Sequence, residues 1–175
     1  MVSSITFLEL DEMMARYASY ENFATIVRYR FNGPKQMLRE LCSRMLFNVL
    51  CGNMGDHAHN HAAFWTGGGL SLTPAYDICP QNRTGGEATQ AMFIDGQDRR
   101  SQVGACLKAA PNILVSDNDA IEIATKQIQT TKQQWLDICD EAQLSEVDRG
   151  VLWRCQFLNP FALLDAALAI GTLVE

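Results

Sequence analysis

The clearest pattern in the chain runs from Gly33-Pro34 to Gly52, where Leu38, Leu41, Cys42, Met45 and Val49 recur at steps of three and four. Such spacing places apolar side chains on one face of a helix, and Pro34 suits a first helical position because no N–H is needed there. The spacing predicts a helix that ends at Gly52 and delivers the chain into a polar segment. Upstream, Thr6-Phe7-Leu8-Glu9 has the Thr-x-x-Glu form of a capping box, and Phe7, Leu10, Met14 and Tyr17 continue at helical spacing. Downstream, Ser116 is a plausible cap for a helix whose seam is Ile121, Ala124, Ile128, Thr131, Trp135 and Ile138. Ser145-Glu146-Val147-Asp148 and Asn159-Pro160 mark two more starts. The last helix, Phe161 to Leu173, is apolar enough to be packed on several sides.

The period changes after the polar segment. Ala62-Ala63-Phe64-Trp65 and Leu70-Ser71-Leu72 flank Thr66-Gly67-Gly68-Gly69, which reads as two short strands joined by a glycine turn. No other strand pair is convincing. Residues 80–104, rich in Gly, Gln, Asn, Thr and Arg, predict an irregular excursion with a short helical or extended piece at Ala91-Met92-Phe93-Ile94. The expectation is a mainly α domain with one small β-hairpin beside a polar site. There is no internal repeat and no dividing linker.

Composition narrows the functional classes. A chain of 175 residues fits one domain with an ordinary core. A net charge of −6 and the lack of any Lys/Arg run argue against direct nucleic acid binding. Six cysteines without a Cys-x-x-Cys pair read as reduced, mostly buried thiols, Cys42, Cys139 and Cys155 among them in apolar helical stretches. No apolar run approaches the roughly 18 residues of a bilayer span, so a soluble cytoplasmic protein is expected. Trp65, Trp135 and Trp153 read as core or hairpin packing residues, and Arg99-Arg100 after Asp98 as a solvated pair.

Chemistry is concentrated in Asn53-Met54-Gly55-Asp56-His57-Ala58-His59-Asn60-His61, which holds all three histidines, and in the acid that follows at Leu72-Thr73-Pro74-Ala75-Tyr76-Asp77. In an extended segment His57, His59 and His61 share a face and could converge on one transition metal. Alternatively, Asn, Asp and Gly form a hydrogen-bonded turn between helix and hairpin. A third reading starts from the hairpin, which begins beside Asn60 and returns Asp77 close to it. An amide and a carboxylate so placed are what protein kinases use to hold magnesium on ATP.

The segment from Phe47 to Phe64 together with Leu72–Asp77 resembles the catalytic core of the HipA-like serine/threonine kinases, with their Asn-x-Asp-x-His-x-Lys-Asn loop and Pro-x-Tyr-Asp magnesium motif. The resemblance implies a protein-kinase-like C-terminal lobe over residues 1–175 and ATP-dependent phosphorylation of a protein serine or threonine. Asn60 and Asp77 correspond to the magnesium ligands, Tyr76 packs beside Asp77, and His57 matches the family's supporting histidine. Two positions depart: Gly55 stands where the family has its catalytic Asp, and His59 replaces the Lys. Asp56, one residue on, is the displaced candidate for the base.

A phosphate-covering loop and a strand lysine are not found, and Gly67-Gly68-Gly69 falls after the loop, in the hairpin turn. The implied partners are an N-terminal lobe polypeptide and a HipB-type DNA-binding antitoxin that restrains a toxin. Two alternatives stand beside the kinase: a non-catalytic remnant or regulatory binding module, and a histidine-cluster metal-binding protein.

Overall fold

The computed structural model describes residues 1–81 and 86–171. α3 (Pro34–Leu50) forms where the apolar stripe predicts it and buries Leu38, Leu41, Cys42, Met45 and Val49. It is the centre of the core. Packed against it are α2 (Tyr20–Arg30), α4 (Val103–Ala109) and α5 (Asp117–Glu141). α2 was not expected, although Tyr20, Phe23, Ala24 and Val27 are all buried at helical spacing, and the Ser19 side chain caps it by accepting from the Asn22 N–H at 3.1 Å. α4 buries mainly small residues, which leave a weak periodic signal.

The first predicted helix is corrected. α1 (Ser4–Phe7) begins before Thr6, and the chain turns at Glu9 with φ of +55°, so the supposed capping box closes a helical turn instead of opening one. Met14 and Tyr17 are largely exposed, although they keep the helical spacing. Ser4, fully buried, explains the start: its hydroxyl donates to the Ala58 carbonyl at 2.6 Å and its N–H to the His61 carbonyl at 2.7 Å.

The hairpin forms as read, with β2 (Ala62–Trp65) and β3 (Leu70–Leu72) pairing antiparallel as Ala63 with Leu72, Phe64 with Ser71 and Trp65 with Leu70. Thr66 closes the turn by donating its N–H to the Gly69 carbonyl at 3.0 Å, and Gly67 and Gly69 take positive φ. A two-residue strand β1 (Val2–Ser3) adds to the other edge of β2, giving a three-stranded antiparallel sheet. Trp65 is 69% exposed, so it is not a packing residue. The piece at residues 91–94 is neither helix nor strand; Met92 and Ile94 are fully buried, and Phe93 makes one bridge to Ser19. Residues 82–85 of the predicted excursion lie outside the described residues.

Ser116 caps α5 through the Asp119 N–H at 3.2 Å, and Ser145 caps α6 (Glu146–Leu152) through Asp148 at 3.1 Å. The α5 seam buries Ala124 and Ile128 but fades at Ile138, and Trp135 packs with Trp153 at 4.9 Å between ring centroids. The expected terminal helix is broken into α7 (Pro160–Leu163), capped by Asn159, and α8 (Ala167–Ile170). Between them Leu164 faces solvent, and Asp165 accepts the Gly104 N–H at 3.0 Å, which fixes the break against α4. Residues 172 and 173 of that expectation lie outside the described residues.

None of the six cysteines is in a disulfide; Cys42, Cys51, Cys106 and Cys139 are buried, while Cys155 is exposed, contrary to its apolar setting in the sequence. Burial pushes the Cys42 thiol up to about 12, which makes it an inert packing group. No described helix is long and apolar enough to cross a membrane.

Candidate functional site

α3 ends at Leu50 and the chain leaves it through Gly52, whose φ is +72°. A Cβ at Gly52 would sit 2.9 Å from the Gln156 carbonyl oxygen, a backbone atom that cannot swing away. Only glycine fits. Gly52→Ala is expected to lower stability by roughly 1–3 kcal/mol, read as a lower urea midpoint at unchanged slope; an unchanged midpoint would show that the 156 segment is free to retreat.

Beyond Gly52 the loop is pinned by amides. The Asn53 side chain donates to Asn48 Oδ1 at 3.0 Å and to the Asp77 carbonyl at 3.3 Å. The Tyr76 hydroxyl donates to the His59 carbonyl at 2.5 Å. The segment carrying Asp77 is therefore stitched to the loop carrying Asn60 at two points. Burial raises the Tyr76 hydroxyl above its ordinary value, Arg44 opposing and Asp77 adding, so the group stays protonated and donates.

Asn60 closes a 3-10 turn (Ala58–Asn60), and its amide donates to the Gly55 carbonyl at 3.4 Å. That bond uses one of the two N–H groups and fixes which end of the amide faces Gly55, and among the described residues Oδ1 accepts nothing. Asp77 is exposed, with φ of +55°, and its carboxylate makes no ion pair or hydrogen bond with any described residue. A non-glycine residue held in the left-handed region costs about 1–3 kcal/mol and recurs at ligand-holding positions.

Asp56 is placed differently from the expectation. Its side chain is buried, bound by the Tyr20 hydroxyl and by His61 Nε2, which lies 3.0 Å from Oδ1 and 3.3 Å from Oδ2. Burial alone would raise this carboxyl; the charge and hydrogen bond of His61, with bonds from Tyr20 and Asn48, outweigh it and hold the pKa below the ordinary value. The same burial and the Asp56 charge raise Tyr20 far above its ordinary value. The carboxylate is an interior anchor, closed to a substrate hydroxyl.

The three histidines do not converge. The 3-10 turn interrupts the extended alternation that would put them on one face. His61 is buried edge-on to Tyr20 at 5.4 Å, His59 lies 3.3 Å from Glu12, and His57 meets the His59 ring at 5.3 Å. Among the described residues no group of three His, Cys, Asp or Glu side chains is placed to hold a metal ion. The residues missed in the sequence are Tyr20, Asn48 and Asn53, which hold the loop. Asn48 and Asn53 were visible as amides flanking the helix end, whereas nothing local marks Tyr20, which comes from another helix.

The chain matches the HipA-like C-terminal domain over residues 1–135. No curated protein matches it. Among solved structures it is similar to HipA of Shewanella oneidensis MR-1, from the toxin–antitoxin complex of HipA, HipB and operator DNA. The two are 17% identical with a TM-score of 0.73, over 98% of this chain and 44% of that one. The chain thus spans less than half the length of that neighbour, and at this identity the likeness establishes the fold alone. The family match runs from the first strand through the polar loop and Asp77 to Trp135, and the chain belongs to the HipA-like C-terminal domain family.

Proposed function

We propose that this chain is the magnesium- and nucleotide-holding lobe of a HipA-type protein serine/threonine kinase, with phosphoryl transfer weak or lost in the chain alone. One observation carries the reading: Asp77 is exposed at a left-handed position and unpaired among the described residues, on a segment tied to the Asn60 loop by Asn53 and Tyr76. The donors suit magnesium, which takes hard oxygen ligands from one or two protein side chains together with phosphate oxygens. Bound there, magnesium would neutralise phosphate charge as in other kinases.

The chain's own residues do the positioning. The Gly55 carbonyl fixes the Asn60 amide so that its oxygen is the free end. Asn53 and Tyr76 hold the backbone on either side of Asp77, and the interior pair Asp56 and His61 sets the loop's shape. Gly55 offers no side chain to accept a proton from a substrate hydroxyl, which is why transfer is weak. By the same family reading, this lobe works with a phosphate-covering N-terminal lobe on a protein serine or threonine and is restrained by a HipB-type antitoxin. Loss of the base leaves one second reading, a module that binds nucleotide or partner without transferring phosphate.

The test uses manganese as a paramagnetic stand-in for magnesium. With ATP present, Mn²⁺ is expected to broaden the amide signals around residues 60 and 77, and Asp77→Ala to weaken that effect by roughly ten- to a hundredfold in Mn²⁺ concentration, the range expected for a charged contact. Little label should pass from ATP to a generic protein substrate. Broadening elsewhere, or unaltered in both Asp77→Ala and Asn60→Ala, would remove the metal assignment.

A further inference from the structure

α3, α5 and the stretch after β3 wall a cavity of about 710 Å³ to which neither Asn60 nor Asp77 contributes. That volume is ordinary for a small-molecule site. Three of the side chains lining it carry buried polar atoms without a hydrogen-bond partner: Arg44 Nη1, Thr73 Oγ1 and Gln127 Oε1. Native interiors pair nearly all such groups, so one on each of the three elements lining the same cavity points to a missing partner.

The surroundings fix which way each group is available. Arg44, 7% exposed, gives Nε to Glu40 at 2.8 Å and Nη2 to the Thr73 carbonyl at 2.5 Å, which leaves Nη1 as an unused donor. Thr73 is 3% exposed, and its hydroxyl is unused as donor and acceptor. Gln127 donates Nε2 to both the carbonyl and the hydroxyl of Ser43 at 2.9 Å, so Oε1 is its remaining acceptor.

Charge narrows the occupant. Among the lining residues Arg39 is held by Asp119 and by Glu122, and Arg44 by Glu40, whereas exposed Lys126 has no ion-pair partner among the described residues. Lys126 is the lining cation left over once these pairs are made. Met37, Phe47, Leu72 and Ile123 give the cavity an apolar part, beside the neutral polar side chains of Gln36, Ser43, Thr130 and Thr131.

We propose that this cavity binds a small amphipathic carboxylate that also carries an N–H or O–H donor. Its oxygens take the Arg44 Nη1–H and the Thr73 hydroxyl, its donor meets Gln127 Oε1, and its apolar body lies on Phe47 and Ile123. Lys126 supplies the matching charge at the rim. The three polar atoms are closed to bulk water, so entry requires lining side chains to move aside. Nothing in this binding depends on phosphoryl transfer.

The probe is N-acetyl-L-phenylalanine, which combines a carboxylate, an amide N–H and a ring, titrated into the full isotope-labelled chain and followed by NMR. Saturable shifts are expected at Thr73, Ile123 and Gln127, with N-acetyl-L-phenylalaninamide, which lacks the charge, roughly ten- to a hundredfold weaker. Thr73→Val and the exposed Lys126→Glu should each weaken binding several-fold while circular dichroism shows the fold intact. If Thr73→Val fails to fold, Lys126→Glu still decides the matter. The proposal is overturned by the absence of saturable shifts, by equal affinity for acid and amide, or by binding indifferent to Lys126→Glu. Ordered water on the three atoms without saturable binding would equally overturn it.

Discussion

Gly55→Asp, in the chain joined to a HipA-type N-terminal lobe, is expected to raise phosphoryl transfer by about 10²- to 10⁴-fold, the usual contribution of a positioned general base. The site admits the change. Gly55 is not in the left-handed region, and a Cβ there would meet the end of the Gln81 side chain at 3.0 Å and Asn53 Oδ1 at 3.7 Å. The Gln81 amide is flexible and a hydrogen-bond donor, so it yields by a few tenths of an ångström and then pairs with the new carboxylate.

Position matters as much as space. The Gly55 carbonyl already accepts from Asn60, so a carboxylate on residue 55 enters beside the amide assigned to magnesium. Labelled ATP, a protein substrate and Asp77→Ala as the inactive control make the measurement. No gain in Gly55→Asp, together with loss of residual transfer in Asp56→Ala at unchanged stability, would return the base role to Asp56. No response to either change would favour the module that binds without transferring.

How much of this was legible in the sequence follows from which forces each residue answers to. α3, the caps at Ser116 and Ser145, and the hairpin turn are local: periodic apolar positions and hydroxyl or glycine signals decide them over a few residues. Thr6-x-x-Glu9 shows the limit, since the pattern was present but the buried Ser4, bonded to Ala58 and His61 far along the chain, set where the turn lies. Asp165 likewise breaks the apolar tail because Gly104 offers it an N–H across the fold.

The candidate site divides the same way. Asn60 and Asp77 could be put forward together because the hairpin turns the chain back toward the loop, where Tyr76 bonds to the His59 carbonyl. The role of Asp56 could not, because whether a loop acid faces substrate or core depends on Tyr20, and no local rule reports that contact. The histidine pattern misled for a related reason: alternation implies a shared face only in extended backbone, and a single 3-10 turn removes it.

Asp56→Ala is expected to destabilise the fold by roughly 1–3 kcal/mol, the usual cost of leaving buried hydrogen-bonding groups without their partner, and to do so whether or not the chain transfers phosphate. The change strands the Tyr20 hydroxyl and His61 Nε2, both already deep in the core, where His61 Nδ1 has no hydrogen-bond partner. Asp56→Asn should cost less, since its amide oxygen still accepts from Tyr20. The pH dependence has a definite sign. The carboxyl is held below its ordinary value in the folded chain by His61, Tyr20 and Asn48 against the opposing effect of burial, so the unfolded chain binds the proton more readily. Its stabilising contribution is fully present above the ordinary carboxylate value of about 3.9 and is lost as pH falls through the lowered native value. Urea midpoints measured from pH 7 downward should therefore converge for wild type and Asp56→Asn in acid, starting below about pH 4. A midpoint at pH 7 that Asp56→Ala leaves unchanged would mean that the buried pair is not holding the loop, and would reopen Asp56 as a group facing the substrate.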